Sequence, residues 1–172
     1  MKFMRIDYDN IVNGPGVRAV LWVSGCMHRC KGCHNPQTWD RNNGQELESK
    51  DIKELISYLD NTYVSGVTIS GGDPLASFNR RELCYIVDKI KKSHPEKSIW
   101  VYTGHRWEEL FEELDSYQRK IILECVEVVV DGKYKEELKV DDEFRGSSNQ
   151  RFVDVRKTGT GKVRIWEERF DV

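Results

Sequence analysis

The sequence predicts an α/β fold, an incomplete, open parallel β/α barrel forming one domain over residues 1–172. Three observations predict it. Apolar, β-rich runs alternate with amphipathic helical stretches four times, the pattern of a parallel sheet with right-handed crossovers. The chain has 172 residues, whereas a complete eight-stranded barrel typically takes ~250. Finally, the stretches richest in cysteine and glycine follow predicted strands at their C-terminal ends, where parallel sheets bind ligands.

The elements follow in order. Residues 1–16 open with Phe3-Met4-Arg5-Ile6 and lead to Asn13-Gly14-Pro15-Gly16. Glycine and proline together mark a tight turn, so the stretch is expected to be a loop ahead of the first strand. Residues 17–23 are mostly apolar and β-rich, a buried strand. From its end runs Ser24-Gly25-Cys26-Met27-His28-Arg29-Cys30-Lys31-Gly32-Cys33-His34-Asn35. Residues 35–44 are a polar connection containing Trp39. Ser49 is expected to cap a helix that carries Ile52, Leu55, Ile56 and Leu59 on one face. Residues 66–70 form a short strand that runs directly into Gly71-Gly72-Asp73-Pro74-Leu75.

Residues 80–92 place Leu83, Ile86, Val87 and Ile90 at helical spacing, with Cys84 on or beside that stripe as a small core residue. Residues 98–102 are the third strand, ending at Thr103-Gly104-His105. Trp107, Leu110, Phe111 and Leu114 mark another helix, and residues 116–123 a further short one. Residues 126–130 are the fourth buried strand, ending at Asp131-Gly132, with Cys125 expected in the core just before it. Residues 133–142 are charged and expected at the surface. Residues 144–155 hold Arg145-Gly146-Ser147-Ser148-Asn149-Gln150 and then a strand at 151–155. Residues 156–172 include Trp166 and Phe170 and carry no pattern that places them.

Composition narrows the function. Hydrophobic residues make up 38% and charged residues 33% of the chain, as in an ordinary soluble globular protein. Lys and Arg number 27 against 29 Asp and Glu, a net charge of -2 that gives no electrostatic basis for nucleic acid as a partner. No apolar run approaches the ~20 residues of a membrane span. Residues 1–10 lack the apolar core of a signal peptide. Free cysteines without an export signal point to a reducing cytoplasm.

The chemistry concentrates in Cys26, Cys30 and Cys33, spaced C-x3-C-x2-C. Thiolates are soft ligands suited to zinc or iron–sulfur clusters. The chain's five cysteines are an odd number, and these three are too close together for all to pair as disulfides. Structural zinc wants four ligands, usually as two separated pairs, with His28 or His34 available as a fourth here. No second pair is visible: Cys84 and Cys125 stand alone, and His94 and His105 have no partner at ligand spacing. A cubane cluster held by three cysteines would leave one iron open to a further ligand. Gly71-Gly72-Asp73 at a strand end adds backbone that can approach a ligand closely.

The combination resembles the radical S-adenosylmethionine (SAM) enzymes, which share the C-x3-C-x2-C loop after the first strand and a Gly-Gly-acid-Pro turn after the second. Within that superfamily it more closely resembles the activating enzymes of anaerobic ribonucleoside-triphosphate reductases. That similarity lies in Asp9-Asn10-Ile11-Val12-Asn13-Gly14-Pro15-Gly16-Val17-Arg18, in Cys30-Lys31-Gly32-Cys33-His34-Asn35 with Thr38-Trp39, and in Ser70-Gly71-Gly72-Asp73-Pro74-Leu75. It continues through Trp100-Val101-Tyr102-Thr103-Gly104, Val130-Asp131-Gly132-Lys133 and Phe144-Arg145-Gly146-Ser147-Ser148-Asn149-Gln150-Arg151. Gly32 departs from the aromatic residue that many superfamily members carry before the third cysteine, and agrees with the activating enzymes.

The resemblance implies an oxidoreductase-type activase. Cys26, Cys30 and Cys33 would hold one [4Fe–4S] cluster, which binds and reductively cleaves SAM. Gly71 and Gly72 would offer backbone groups to the SAM amino group, and Asp73 would brace that turn or contact the amine. Gly32, Cys33 and His34 would line the adenine end, with His34 either an ordinary loop residue or a side-chain contact. The radical formed would take an α-hydrogen from a glycine of the large reductase subunit, the implied partner. An electron donor such as reduced flavodoxin is implied as well. Arg145 to Gln150 would shape the mouth, meet the partner, or simply form a capped turn. Two other functions compete: a radical SAM enzyme acting on a small molecule, and a zinc-binding adaptor.

Overall fold

The computed structural model describes residues 1–141 and 144–167. Its strands are β1 (Lys2–Asn10), β2 (Val17–Val23), β3 (Gln45–Glu46), β4 (Val64–Gly71), β5 (Ser98–Tyr102), β6 (Val128–Asp131) and β7 (Arg151–Asp154). The helices are α1 (Ser49–Tyr58), α2 (Arg80–Ser93), α3 (Trp107–Glu113), α4 (Ser116–Cys125) and α5 (Val155–Thr158). The strands form one sheet in the order β3-β1-β2-β4-β5-β6-β7. β2, β4, β5 and β6 run parallel to one another, as the alternation predicted. The sheet is open, with β3 and β7 at its ends among the described residues.

The flanks correct the expectation of a purely parallel sheet. Residues 2–10 are a strand, not a loop, and pair antiparallel with β2 and β3. The register of β1 shifts twice, and Asp9 adopts φ +53. A bulged, half-exposed strand loses the strict alternation by which strands are read. β7 pairs antiparallel with β6. The unplaced tail covers it: Trp166 N–H donates to Phe152 O at 2.7 Å, and the Trp166 ring meets Trp100 at 4.8 Å. Phe170 and Asp142 lie outside the described residues.

Strand alternation divides the sheet into two chemically distinct faces. Ala19, Leu21, Val67, Ile69, Ile99, Val101, Val129 and Val153 join the core beneath the helices, with Leu55, Leu83, Val87, Leu110 and Ile122. The intervening positions point the other way and mix polar and aromatic residues (Arg18, Trp22, Thr68, Ser70, Trp100 and Tyr102) with Val20, Val128 and Val130. Cys84 and Cys125 are buried as expected. Helix α1 begins one residue earlier than predicted: Ser49 is already helical, and the N–H of Glu48 is satisfied by Asp51 Oδ2 at 2.8 Å. Helix α4 starts with a reciprocal cap, Gln118 N–H donating to Asp115 Oδ1 and Asp115 N–H to Gln118 Oε1. Among the described residues, no helix is long and apolar enough to cross a membrane.

Candidate metal centre

The cysteine loop leaves β2 and is clasped from two sides. Gly25 N–H donates to Thr38 O at 2.7 Å and Cys26 N–H to Trp39 O at 3.0 Å, both at the short 3-10 turn Pro36–Thr38. From the other side, Gly72 N–H donates to Val23 O and Asp73 N–H to Gly25 O, each at 2.8 Å. Parallel pairing of β2 with β4 makes this possible, because Val23 and Gly71 are register partners at the strand ends. The two stretches singled out in sequence are therefore physical neighbours.

The approach is so close that only glycine fits. A Cβ on Gly72 would lie 2.6 Å from Gly25 O, and one on Gly71, at φ +102, would lie 2.7 Å from Val23 O. Their lack of side chains is thus already required by the chain's own packing.

Asp73 sits at the centre of the junction and is 1% exposed. His28 Nε2 lies 2.7 Å from its Oδ2. Its Oδ1 accepts from Thr103 Oγ1 and from Leu75 N–H, each at 2.9 Å. Gly104 N–H reaches Oδ2 at 3.2 Å, and His105 Nε2 stands 3.8 Å away. Burial opposes ionisation, but the hydrogen bond and charge of His28, then His105 and Thr103, outweigh it and hold the carboxyl below the ordinary carboxylate range. His105 is pushed the opposite way: burial lowers its pKa, and the charge of Asp73 only partly offsets this. His28, Asp73 and His105 bring ligand atoms within 4.8 Å of one another. With both carboxylate oxygens engaged by donors, this is a hydrogen-bonded cluster before it is a cation site.

All three cysteines are free and half-buried. Burial raises the thiol pKa of Cys26 and of Cys30, and each is raised further by a neighbouring cysteine. Cys33 Sγ accepts Asn35 N–H at 3.4 Å. Thiols pushed up by burial and by each other are ones that a bound cation would ionise. The donor set therefore fits a thiolate-bound metal centre. The indole nitrogen of Trp39, buried and without a hydrogen-bond partner beside this loop, fits it too.

Cys33 and His34 border a cavity of about 720 Å³ on the polar face of the sheet, with Trp22, Ser70, Tyr102 and Gly146 among its walls. His34 packs on Tyr134 at 4.9 Å. Gly32, at φ +71, faces Glu136: a Cβ there would meet Oε1 at 2.8 Å. Arg145 to Gln150 is a capped turn at the cavity wall. Gln150 Oε1 accepts from Gly146 N–H at 2.9 Å and Ser147 N–H at 3.1 Å, while Gln150 Nε2 donates to Gly132 O at 3.1 Å.

The structure thus brings Cys26, Gly71, Gly72 and Asp73 to one junction, with Cys30 and Cys33 further along the same loop, and sets Gly32 against Glu136 and His34 against Tyr134 and Gly146. Sequence reasoning missed His28, Thr103 and His105 as partners of Asp73. From sequence, His28 reads only as a candidate zinc ligand. Thr103-Gly104-His105 ends a central strand, and that position was the available signal.

A parallel core with three half-buried thiols at a strand's C-terminal end defines a metal-binding α/β protein, and residues 12–153 match the family model described as a 4Fe-4S single cluster domain. The chain is 43% identical over 151 residues to the anaerobic ribonucleoside-triphosphate reductase-activating protein of Enterobacteria phage T4, covering 88% of this chain and 92% of that one. It is 40% identical over 144 residues to the protein of that name from Escherichia coli (strain K12), covering 82% and 90%. The Haemophilus influenzae protein of that name is 37% identical over 153 residues, covering 87% and 96%. The chain belongs to the family of anaerobic ribonucleoside-triphosphate reductase-activating proteins.

Proposed function

We propose that this chain is a radical SAM activase that installs a glycyl radical on an anaerobic ribonucleoside-triphosphate reductase. The observation that carries the reading is the junction itself, where the three-cysteine loop and the Gly-Gly-Asp turn are joined backbone to backbone. Cys26, Cys30 and Cys33 hold a [4Fe–4S] cluster. Bound there, the cluster would supply the electron that cleaves SAM to methionine and a 5′-deoxyadenosyl radical.

The N–H groups of Gly72 and Asp73 are already used within the chain. The turn therefore offers carbonyl oxygens, the complement of the donating amino group of SAM. Asp73, saturated by its own neighbours, braces the turn and leaves the amine to those carbonyls. Gly32, Cys33 and His34 line the adenine end. The glycine-bearing loop of the large reductase subunit enters the cavity past the Arg145 to Gln150 turn, and the open sheet leaves room for it. A cytoplasmic low-potential donor such as reduced flavodoxin supplies the electron.

The test is anaerobic reconstitution with iron and sulfide, reduction, and mixing with SAM and the reductase. A stable organic radical on the reductase should appear by electron paramagnetic resonance. Deuterium at glycine α-positions of the reductase should move into 5′-deoxyadenosine. No radical on the reductase, with turnover of a small purine-like molecule instead, would replace this reading with a small-molecule enzyme.

A further inference from the structure

We propose that the indole N–H of Trp39 donates a hydrogen bond to a sulfur of the cluster held by Cys26, Cys30 and Cys33, and thereby raises its reduction potential. The inference rests on reading that loop as a [4Fe–4S] site.

Trp39 is fixed to the first cysteine by its own backbone, since its carbonyl accepts Cys26 N–H at 3.0 Å. Trp39 and Cys26 border a second cavity of about 600 Å³, with Met27, Phe78, Arg29 and Arg41 around them. The larger cavity is bordered by Cys33 and His34 instead. The two cavities therefore meet different cysteines of one loop.

The Trp39 indole nitrogen is shielded from solvent and has no partner. More than nine in ten buried polar groups are paired, and an exception asks for a partner the chain does not supply. An indole can only donate, so that partner must be an acceptor. Among the described residues, Ser24 Oγ, His94 Nδ1, Arg119 Nε and Asn149 Oδ1 are also unpaired. Of these five, Trp39 shares a cavity with a cysteine of the loop. Trp22 makes the contrast: it borders the larger cavity, and its N–H is spent on Asp7 Oδ2 at 2.6 Å.

A cluster sulfur is the acceptor this position calls for. When a low-potential one-electron reductant adds one electron to the cluster, no bond breaks and no proton moves. The added negative charge spreads over the iron and sulfur atoms. A donor aimed at a sulfur is held more strongly in the reduced state, so it favours reduction.

Trp39→Phe removes the donor while keeping a ring and the backbone carbonyl that holds Cys26. Reconstituted wild-type and variant proteins are first assayed for iron and sulfide, then titrated with dithionite against potential, following the signal of the reduced cluster. The equilibrium constant for reduction should fall about tenfold, which is 59 mV for a one-electron couple. Trp39→His, which retains an N–H, should recover part of the shift. An unchanged potential in a variant with a full cluster overturns the inference and leaves the cluster reading intact. Failure of the wild-type protein to assemble a cluster overturns both.

Should Trp39→Phe not retain a cluster, wild-type protein carrying 15N-indole in its five tryptophans decides the matter. Pulsed electron paramagnetic resonance of the reduced cluster should then show coupling to one indole nitrogen. Absence of any such coupling overturns the inference.

Discussion

His28 Nε2 lies 2.7 Å from Asp73 Oδ2, and this part-buried contact ties the cysteine loop to the Gly-Gly-Asp turn. His28 stands between the first two cysteines, and Asp73 follows the two glycines directly. Asp73 also collects Thr103 and Gly104 from the end of β5. One carboxylate thus gathers the C-terminal ends of three adjacent parallel strands. The geometry of the candidate centre depends on it, although it contributes no thiol.

Asp73→Asn should therefore destabilise the metal-free protein by about 3 kcal/mol or more, because an amide puts an N–H among donors that need acceptors. Urea unfolding measures this. A loss under about 1 kcal/mol, the worth of an ordinary neutral hydrogen bond, would mean that the junction is held by its backbone contacts alone.

The two shifted groups predict how acid acts. His105 is depressed from 6.5 by burial, so the unfolded chain takes up this proton first, and stability should decline as pH falls below about 6.5. Asp73 is held below 3.8 by His28 and its neighbours against burial. Its contribution is thus present above that value and is lost as pH falls through the lower native pKa. His105→Gln should remove the first decline and leave the second. Unfolding midpoints of the metal-free protein between pH 3 and 8, a roughly chosen span covering both ordinary pKa values, show whether the two steps separate.

Arg18 was legible only as part of a motif, yet it is a fully buried cation held by neutral oxygens. Its guanidinium donates to Thr68 Oγ1, Ser98 Oγ and Val67 O, each at 2.8 Å, and more weakly to Pro15 O and Ser98 O. Burial lowers its pKa to about 10, so it remains charged at neutral pH. Arg18→Met should cost about 3–5 kcal/mol, since it strands several buried acceptors. Arg18→Lys should recover little, because an ammonium cannot reproduce the fork. Full recovery in urea unfolding would show that charge matters more than geometry.

These cases show what the sequence could and could not convey. The four parallel strands were legible because residues such as Ala19 to Val23 are buried on both faces and read as continuous apolar runs. The cysteine loop was legible because its ligands lie close together in sequence. β1 was not, because its bulges break the two-residue period. The partners of Asp73 were not, because His28 and Thr103 are 45 and 30 residues away and meet it only through strand pairing.

The cysteines separate by environment. Cys84 and Cys125 are buried thiols raised to about 12 and about 11, chiefly by desolvation. Such thiols are inert core residues. Single Ala substitutions at Cys26, Cys30 or Cys33 should abolish cluster assembly, whereas Cys84→Ala and Cys125→Ala should retain full iron. Iron and sulfide per chain after reconstitution decide it. Full iron in Cys30→Ala would sink the assignment.

Gly72→Ala tests whether the glycines serve the ligand or the chain. On sequence grounds alone, a glycine after a strand is there to let backbone approach a ligand. The structure adds a nearer obstacle: a Cβ at residue 72 would lie 2.6 Å from Gly25 O and 2.9 Å from Gly25 C. Those are backbone atoms next to Cys26, so they cannot swing aside like a side-chain tip. Relief must displace the cysteine loop itself, at the roughly 1–3 kcal/mol typical of overpacking. Gly72→Ala should thus lose iron as well as SAM affinity. Gly161→Ala, where the nearest atom is Thr158 O at 3.4 Å, is the control and should lose neither. If Gly72→Ala holds a full complement of iron and weakens only SAM binding, the loop has tolerated the added carbon. The glycine is then required by the ligand and not by the packing of the turn against Gly25.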